Sequence, residues 1–366
     1  MIKKIPLQNL QLQNQKIKSE LTQAFSEILD SGQFVSGPKV KEFENNFASY
    51  VGTNHSVGLS TGSSALEIAL KAAGIGSGDE VIVPSMTFIA TIEAVLEVGA
   101  TPVLVDIDRN TWNISPNEII LNINNKTKAI VPVHLHGRLA DMDSITKIAS
   151  ENDLLIIEDA AQAHGANRGK YVAGCTGLAS AFSFYPGKNL GALGESGALT
   201  TNSEEIFHYA VKYRNYGSEV KYEHQIRGNN YRMDELQASF LDIKLKYLDQ
   251  WTNKRIENAK IYDKKFDELK IEHTKPDSGR HVYHIYSVLV ENRNKVMEKL
   301  ISKEIFASAH YPISCHQQAG YKKYIKTGKN LENSEFIASR ILSVPMDENI
   351  DIEEIDYICK TLAESI

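Results

Sequence analysis

Cysteine is scarce in this 366-residue sequence, which has Cys175, Cys315 and Cys359 at widely separated positions. They form no CxxC pair, so we predict neither a disulfide framework nor a zinc site and expect a reducing cytoplasm as the compartment. Long apolar runs are also absent, and none approaches the roughly 20 residues that span a bilayer. The N-terminal residues MIKKIPLQNLQLQNQK lack an apolar core behind their lysines, so we expect no signal peptide and no membrane partner.

A large excess of charge of either sign is lacking as well. The 40 basic and 46 acidic side chains leave a formal charge of −6. This balance argues against a nucleic-acid partner but leaves room for a local pocket that binds phosphate. With 42% hydrophobic residues the chain is predicted to be globular. Its length predicts two domains, or one large domain with an appendage. We place the boundary near residue 250, where a long helical pattern leads out of the first part, which gives a large domain over residues 1–250 and a small one over residues 251–366.

The central part of the chain alternates short β-rich runs with helical stretches. Helices are predicted before it over residues 17–31 and 40–50, and a long helical pattern covers residues 233–266. Because several runs are apolar almost throughout, we predict an α/β fold whose mostly parallel sheet has helices on both faces. The seven predicted strands cover residues 56–59, 80–83, 102–106, 129–134, 154–158, 181–184 and 197–201.

A smaller segment follows the long helical pattern. It contains a strand-like run, HVYHIYSVLV, and closing helices near residues 331–342 and 352–365. Residues 320–330 form a basic stretch that we interpret as a solvated loop.

Lys188 follows a predicted strand and a Pro-Gly turn in the segment AFSFYPGKNLG. Ligands of such sheets bind beyond the carboxyl ends of the strands. A lysine there can form an imine with a cofactor aldehyde. The alternative is an ordinary surface lysine after a turn.

Asp159 closes another predicted strand in the segment IEDAAQAHGA. A buried carboxylate needs a partner, and a protonated pyridine ring is one candidate. Gln162 lies one helical turn later and could face the same ligand. The alternatives are a helix N-cap and a metal site with His164; the second lacks further ligands at a recognisable spacing, so no metal is predicted.

The segment STGSSALEIAL opens an apolar helix with small residues. The backbone N–H groups of Gly62, Ser63 and Ser64 could cradle a phosphate, although a simple N-cap gives the same pattern. The segment lacks the GxxxxGK[ST] and GxGxxG patterns of nucleotide loops, which disfavours ATPase and dehydrogenase functions. Phe88 follows the strand VIVP, where it could stack on a planar ring or belong to the core.

Taken together, these segments resemble the DegT/DnrJ/EryC1/StrS family of sugar aminotransferases. The likeness implies the aspartate-aminotransferase (type I) fold, with a large pyridoxal-phosphate domain built on a seven-stranded sheet and a smaller α+β C-terminal domain. The matching segments follow one order along the chain: SGPKVKEFE, TGSSALEIAL, DEVIVPSMTFIAT, HLHG, EDAAQAHGA, FSFYPGKNLGALGESGAL, NYRMDELQA, HYPI and LSVPM.

The resemblance also implies roles for single residues. Lys188 would hold pyridoxal phosphate as a Schiff base and then move the proton between substrate and cofactor. Asp159 would pair with the pyridine nitrogen, Gln162 would approach the ring hydroxyl, and Phe88 would stack on the ring. Ser183 would bind the phosphate together with the backbone of residues 62–64.

Further positions would complete the site from outside this group. An Asn at the position of Asn230 reaches the phosphate of the neighbouring subunit's cofactor in the family, which implies a homodimer. Three positions match residues that can line the sugar-nucleotide side, namely Arg232, His310 and Tyr311. Two departures, Leu139 for proline and Cys315 for leucine, lie outside the proposed chemistry, although Cys315 is near the sugar pocket.

The resemblance implies transamination from L-glutamate to a nucleotide-linked keto sugar, because dehydratases of the family carry histidine in place of Lys188. The loop KNLGALGESG is similar to that of members acting on 3-keto sugars. We therefore predict a dTDP-3-keto-6-deoxyhexose as the acceptor and a dTDP-3-amino-3,6-dideoxyhexose as the product. The alternatives are a 4-keto or non-nucleotide keto sugar, and a catalytically silent ligand-binding relative of the same fold.

Overall fold

The computed structural model describes residues 4–275 and 278–366. The helices in these ranges are α1 (Leu10–Lys16), α2 (Lys18–Ser31), α3 (Pro38–Val51), α4 (Gly62–Ala72), α5 (Ala90–Glu97), α6 (Pro116–Asn122), α7 (Met142–Glu151), α8 (Glu204–Tyr213), α9 (Glu235–Leu245), α10 (Leu248–Glu268), α11 (Arg293–Ser302), α12 (Glu332–Arg340) and α13 (Ile352–Ala363). The strands are β1 (His55–Leu59), β2 (Glu80–Pro84), β3 (Thr101–Val105), β4 (Thr127–Ile130), β5 (Leu155–Asp159), β6 (Asn167–Arg168), β7 (Tyr171–Val172), β8 (Ala179–Ser183), β9 (Gly197–Thr201), β10 (Glu272–His273), β11 (Tyr286–Leu289), β12 (Lys326–Thr327) and β13 (Ile341–Val344).

The main sheet contains eight strands of the described chain, in the order β1-β9-β8-β5-β4-β2-β3-β12. Strand β9 runs antiparallel to β1 and β8, and the other neighbouring pairs are parallel. All seven predicted strands lie in this sheet, which confirms the mostly parallel α/β fold. The eighth strand, β12, comes from the stretch that the sequence analysis interpreted as a solvated loop; its backbone pairs with the edge of β3.

Alternation of side chains along the strands builds two apolar layers. In β2, Ile82 packs into one layer with residues of α3 and α7, whereas Val81 and Val83 pack into the other with residues of α4, α5 and α8. This is the two-residue period of a strand that is covered on both faces. The helices on both faces leave the strand ends as the open rim of the sheet.

The prediction of one long helix over residues 233–266 is wrong, because the structure has two helices there. Helix α9 ends at Leu245 and α10 begins at Leu248, with a two-residue turn between them. The break follows from packing, since α9 lies against α2 and α3 whereas α10 lies against α13. No glycine or proline marks it in the sequence.

A second core lies around the three-stranded sheet β10-β11-β13. The predicted strand over residues 281–290 is shorter, since only β11 is regular, and the chain after Arg340 is strand β13 where helix was expected up to residue 342. Ile5 joins this core, and its backbone pairs with Ile305. The predicted domain division at residue 250 falls inside α10 and stays a prediction. No helix in the described ranges is both long and apolar enough to cross a membrane.

Candidate active site

The candidate residues converge where β5 and β8 end. These two strands are parallel neighbours, and Asp159 lies opposite Ala181 in their register. Asp159 is the last residue of β5 and Ser183 the last residue of β8, so both lie on the same rim of the sheet. The chain continues from Ser183 into the loop that carries Lys188.

Backbone contacts hold the loop of Lys188 in a tight turn. The Lys188 N–H donates to the carbonyl oxygen of Tyr185 at 2.8 Å, and the Ala192 N–H donates to that of Phe184 at 2.8 Å. A Cβ at Gly191 would lie 2.2 Å from the carbonyl oxygen of Pro186, so this approach requires glycine. The turn therefore fixes where the lysine side chain emerges.

Burial changes the chemistry of Lys188. Removal from water lowers the pKa of its ammonium from an ordinary 10.5 to about 8, while the nearby Asp159 carboxylate opposes the change. Desolvation disfavours the charged form of an amine. Lys188 is therefore closer to a usable base at neutral pH than an exposed lysine is.

Asp159 is a buried carboxylate held by two donors. Its Oδ2 accepts a hydrogen bond from Thr91 Oγ1 at 2.8 Å, and its Oδ1 accepts one from the Ala161 N–H at 3.2 Å. Thr91 in turn shares a hydrogen bond with Thr87 at 2.9 Å between hydroxyl oxygens. Burial raises the pKa of Asp159 despite these donors. The carboxylate is therefore suited to a cationic partner, such as a protonated ring nitrogen.

Gln162 and Tyr311, both predicted from the sequence, are in direct contact. The Gln162 Nε2 donates to the Tyr311 hydroxyl at 3.1 Å, and its Oε1 accepts from the His136 N–H at 2.7 Å. The Tyr311 ring lies 5.6 Å from the ring of Phe88, centroid to centroid. Phe88 is 53% exposed, so it is not a core residue and its ring face is available to a ligand.

Two neutral histidines lie in the same region. His136 Nε2 donates to the carbonyl oxygen of His310 at 3.0 Å, and His310 Nδ1 contacts Ser343 Oγ at 2.9 Å. Burial is the main cause that lowers the pKa of His136 to about 3 and that of His310 to about 4, and the charge of Lys188 contributes to both shifts in the same direction. These imidazoles are therefore uncharged at neutral pH.

The start of α4 forms a cradle beside Ser183. Thr61 caps the helix, and its side chain accepts from the Ser64 N–H at 3.0 Å. A Cβ at Gly62 would lie 2.8 Å from Ser183 Cβ, so only glycine allows this approach. The Ser64 N–H is used by the cap in this chain, so the N–H groups of Gly62 and Ser63 are left for an anion. The predicted role of Gly62, Ser63 and Ser64 toward a phosphate stays a prediction.

Asn230 and Arg232 flank Tyr231, which pairs with the chain just before this cradle. The segment between them runs beside Ser60, whose N–H donates to the Tyr231 carbonyl oxygen at 2.9 Å. Asn230 is exposed. The Arg232 Nη1 donates to Asn215 Oδ1 at 2.6 Å, and its guanidinium lies over the Tyr216 ring. Within this chain, then, the structure pairs Arg232 with the loop around Asn215, and its predicted role toward the sugar nucleotide stays a prediction.

Sequence reasoning assigned no role to Thr91 or His136. Both lie in segments that it singled out, DEVIVPSMTFIAT and HLHG. A hydroxyl one helical turn after Thr87 was the available signal for Thr91. For His136 no signal other than the motif itself was present.

The residues present fit pyridoxal phosphate. The partly buried lysine suits the aldehyde of the cofactor, and the buried carboxylate suits its ring nitrogen. The exposed aromatic ring suits the face of the cofactor ring, and the helix N-terminus suits its phosphate. The fit comes from the donor types and from the cradle at Gly62, which a larger residue would fill.

The DegT/DnrJ/EryC1/StrS aminotransferase family matches residues 15–363. The chain belongs to this family. It is 43% identical over 359 residues to the dTDP-3-amino-3,6-dideoxy-alpha-D-galactopyranose transaminase of Aneurinibacillus thermoaerophilus, with 98% of each chain covered. The crystal structure of DesV from S. venezuelae, in complex with a ketimine intermediate, has a TM-score of 0.95 at 37% identity and covers 99% of this chain and 98% of its own.

A third similarity concerns the cofactor. The crystal structure of NtdA from Bacillus subtilis, with bound cofactor PMP, has a TM-score of 0.88 at 33% identity and covers 96% of this chain and 82% of its own. The type I fold and a pyridoxal-phosphate-dependent sugar aminotransferase activity therefore follow from the family and the fold.

Proposed function

We propose that this aminotransferase moves the amino group of L-glutamate to a dTDP-linked 3-keto-6-deoxyhexose and produces a dTDP-3-amino-3,6-dideoxyhexose. The observation that carries the proposal is the partly buried Lys188, with its lowered pKa, on the same rim as Asp159. The choice of sugar is supported by the 43% identity to a transaminase named for a product of this type. The KNLGALGESG loop after the strand points to the same class.

The residues of the chain divide the work among them. Pyridoxal phosphate supplies an aldehyde that accepts the amino group and a ring that withdraws electrons. Asp159 keeps the ring nitrogen protonated, and Phe88 covers one ring face. Lys188, once its amine is free and neutral, takes the proton from the α-carbon of glutamate and later delivers a proton to the former keto carbon of the sugar.

The phosphate end is held by backbone and hydroxyl donors. The N–H groups of Gly62 and Ser63 point out of the first turn of α4, where the helix dipole favours an anion. Ser183 lies against Gly62 and adds a hydroxyl. His310 and Tyr311 then line the space in front of Lys188 as neutral groups suited to sugar hydroxyls.

A homodimer belongs to the proposal, and exposed apolar residues next to the start of α9 support it. Phe34 and Val35 are exposed, and their backbones pair with the start of α9 at Glu235 and Asp234. Exposed apolar residues that cluster in this way mark protein–protein contacts. We propose that a second copy covers them and that Asn230 reaches the cofactor of that copy. We also propose a cytoplasmic location, supported by the three cysteines, which are free thiols.

Absorbance of the purified protein with pyridoxal phosphate tests the cofactor and the donor together. We expect a visible band that L-glutamate removes, with release of 2-oxoglutarate, and we expect Lys188→Ala to lose this response. Lys170→Ala is the matched control, because Lys170 is exposed. Absence of any band in the reconstituted wild type would support the catalytically silent alternative.

A panel of keto sugars tests the acceptor. The 3-keto and 4-keto dTDP-6-deoxyhexoses, a UDP-linked 3-keto sugar and a free keto sugar are each incubated with the glutamate-treated enzyme. Product mass shows amination, and NMR shows the aminated carbon. We expect turnover of the dTDP-3-keto sugar; preferential turnover of a 4-keto or non-nucleotide sugar would overturn the substrate while leaving the reaction class intact.

A further inference from the structure

Ser85, His316 and Glu335 form a hydrogen-bonded row outside the groups that act on the cofactor. Ser85 Oγ lies 2.6 Å from His316 Nδ1, and His316 Nε2 lies 2.9 Å from Glu335 Oε1. Ser85 is fully buried, the His316 side chain is mostly buried, and Glu335 is exposed. The residue types are those of a hydrolase triad, but a hydroxyl without solvent access cannot reach a substrate.

The chemistry of the row fixes its donors. An ionised carboxylate only accepts hydrogen bonds, so the proton of a neutral His316 ring lies on Nε2 and points to Glu335. Nδ1 then accepts from the Ser85 hydroxyl. If the ring gains a proton, Nδ1 donates to Ser85 instead, so the contact persists in both charge states. The row of hydrogen bonds therefore restrains the position of the Ser85 side chain.

Ser85 opens the loop that carries Phe88. Its carbonyl oxygen accepts from the Cys315 N–H at 2.9 Å, and the Cys315 thiol donates to the Thr87 carbonyl oxygen at 3.3 Å. Thr87 leads on to Thr91, which donates to Asp159. Cys315, which precedes His316, thus contacts a loop that has both the exposed aromatic ring and the hydroxyls beside the Asp159 carboxylate.

The other end of the row is anchored equally firmly. Asp106 accepts hydrogen bonds from the Asn333 N–H at 2.9 Å, the Ser334 N–H at 2.8 Å and the Ser334 hydroxyl at 2.6 Å, all at the start of α12. Glu335 is the next residue of that helix. Asp106 directly follows Val105, whose carbonyl oxygen accepts from the Ser85 N–H at 2.8 Å. The contacts therefore close a ring that begins and ends at Ser85.

We propose that Ser85, His316 and Glu335 are positioning residues that fix the Phe88 loop, so that the segment around Cys315 and helix α12 set the height of the stacking ring over the cofactor. The proposal rests on the proposed function, since the ring has a ligand only if the cofactor binds there. No catalytic step passes through the three side chains.

Hydrogen exchange of the cofactor-free, full-length chain tests this restraint without any activity. The readout is amide exchange in peptides that cover residues 85–91, compared among Ser85→Ala, His316→Ala and Glu335→Ala. We expect about fivefold faster exchange for Ser85→Ala and His316→Ala, the effect of one lost hydrogen bond, and a smaller increase for Glu335→Ala. Glu332→Ala, an exposed glutamate in the same first turn of α12, is the matched control.

Two conservative variants separate positioning from general loss of structure. The side-chain oxygen of His316→Asn takes the place of Nδ1 and keeps an acceptor for Ser85, whereas the amide of His316→Gln takes the place of Nε2 and keeps the contact to Glu335. We expect Asn to restore slow exchange and Gln to behave like Ala. The same order should hold for the dissociation constant of pyridoxal phosphate, with unfolding midpoints of Asn and Gln alike.

Unchanged exchange in Ser85→Ala, or equal exchange in the Asn and Gln variants, would overturn the proposal. Failure of the proposed function has a different signature, because the wild type itself would then bind no pyridoxal phosphate. A third outcome also overturns the proposal. If the loop exchanges more slowly in wild type than in Ser85→Ala but all variants bind the cofactor with unchanged affinity, the hydrogen bonds hold the loop without positioning the ring.

Discussion

Replacement of Lys188 by methionine should stabilise the cofactor-free chain while abolishing transamination. Burial holds the pKa of Lys188 at about 8, against an ordinary 10.5. At about 1.36 kcal/mol per pKa unit, this difference corresponds to about 3 kcal/mol of destabilisation by the buried ammonium. Because the side chain keeps partial exposure, the figure is an upper bound. Methionine has a similar length and carries no charge to desolvate.

The sign of the effect sets its pH dependence. Between pH 8 and 10.5 the unfolded chain binds more protons at Lys188 than the folded chain, so the stability of the wild type rises with pH in this window. Below the window the folded ammonium is charged and unfavourable, and above it both states are neutral. The advantage of Lys188→Met should therefore be full at neutral pH and should shrink as pH rises through the window.

Urea unfolding of the cofactor-free proteins, at neutral pH and at steps across the window, measures this difference. Lys170→Met, at an exposed position, should show no such pH-dependent gain. A Lys188→Met protein that is no more stable than wild type at neutral pH, or a gain that does not shrink with pH, would refute the assignment of Lys188 as a desolvated amine.

Three further perturbations address the site. Thr91→Val removes the hydroxyl that donates to Asp159. Because a hydrogen bond to a charged group contributes about 1.5–3 kcal/mol, kcat/KM should fall at least about tenfold. A fall under twofold would show that this contact does not contribute to the reaction. Gly62→Ala places a Cβ 2.8 Å from Ser183 and should weaken binding of pyridoxal phosphate, measured by equilibrium dialysis, whereas Gly76→Ala, with its nearest neighbour at 3.7 Å, should not. Inactive Lys188→Ala and Asn230→Ala chains, unfolded and refolded together, should recover about a quarter of wild-type activity if each site takes its lysine from one subunit and its asparagine from the other; no recovery would count against a shared site.

The sequence predicts the parts of this molecule whose signals are local. The seven main strands are apolar runs bounded by turns, and each lies in the sheet. The break between α9 and α10 has no local signal, because it arises from packing against different partners, α3 and α13. Strand β12 was missed for a similar reason, since two exposed residues become a strand only because the edge of β3 is beside them.

The candidate site divides in the same way. Asp159 ends strand β5 and Lys188 lies in the loop after β8, so their position on one rim could be predicted from the α/β pattern. The donor to Asp159 is Thr91, 68 residues away, and the partner of Ser85 is His316, 231 residues away. Such pairs depend on strand order and on how the C-terminal segment returns to the sheet, which a single sequence does not encode locally. The sequence left open whether Phe88 belongs to the core or stacks on a ligand, because the exposure of a residue beyond a strand end depends on which other segments cover that end.

Because the nearby histidines are neutral, the amine of Lys188 can carry out both proton transfers of the reaction. A charged imidazole beside Lys188 would lower the pKa of the lysine by repulsion and would offer its own proton to the substrate. Burial prevents both, since the pKa of His136 is about 3 and that of His310 about 4. Asp159 accepts hydrogen bonds from Thr91 and Ala161, and no described hydrogen bond joins it to these rings. The pKa of Lys188, about 8, lies near neutral pH, which is the condition for taking a proton from one substrate and returning one to the next.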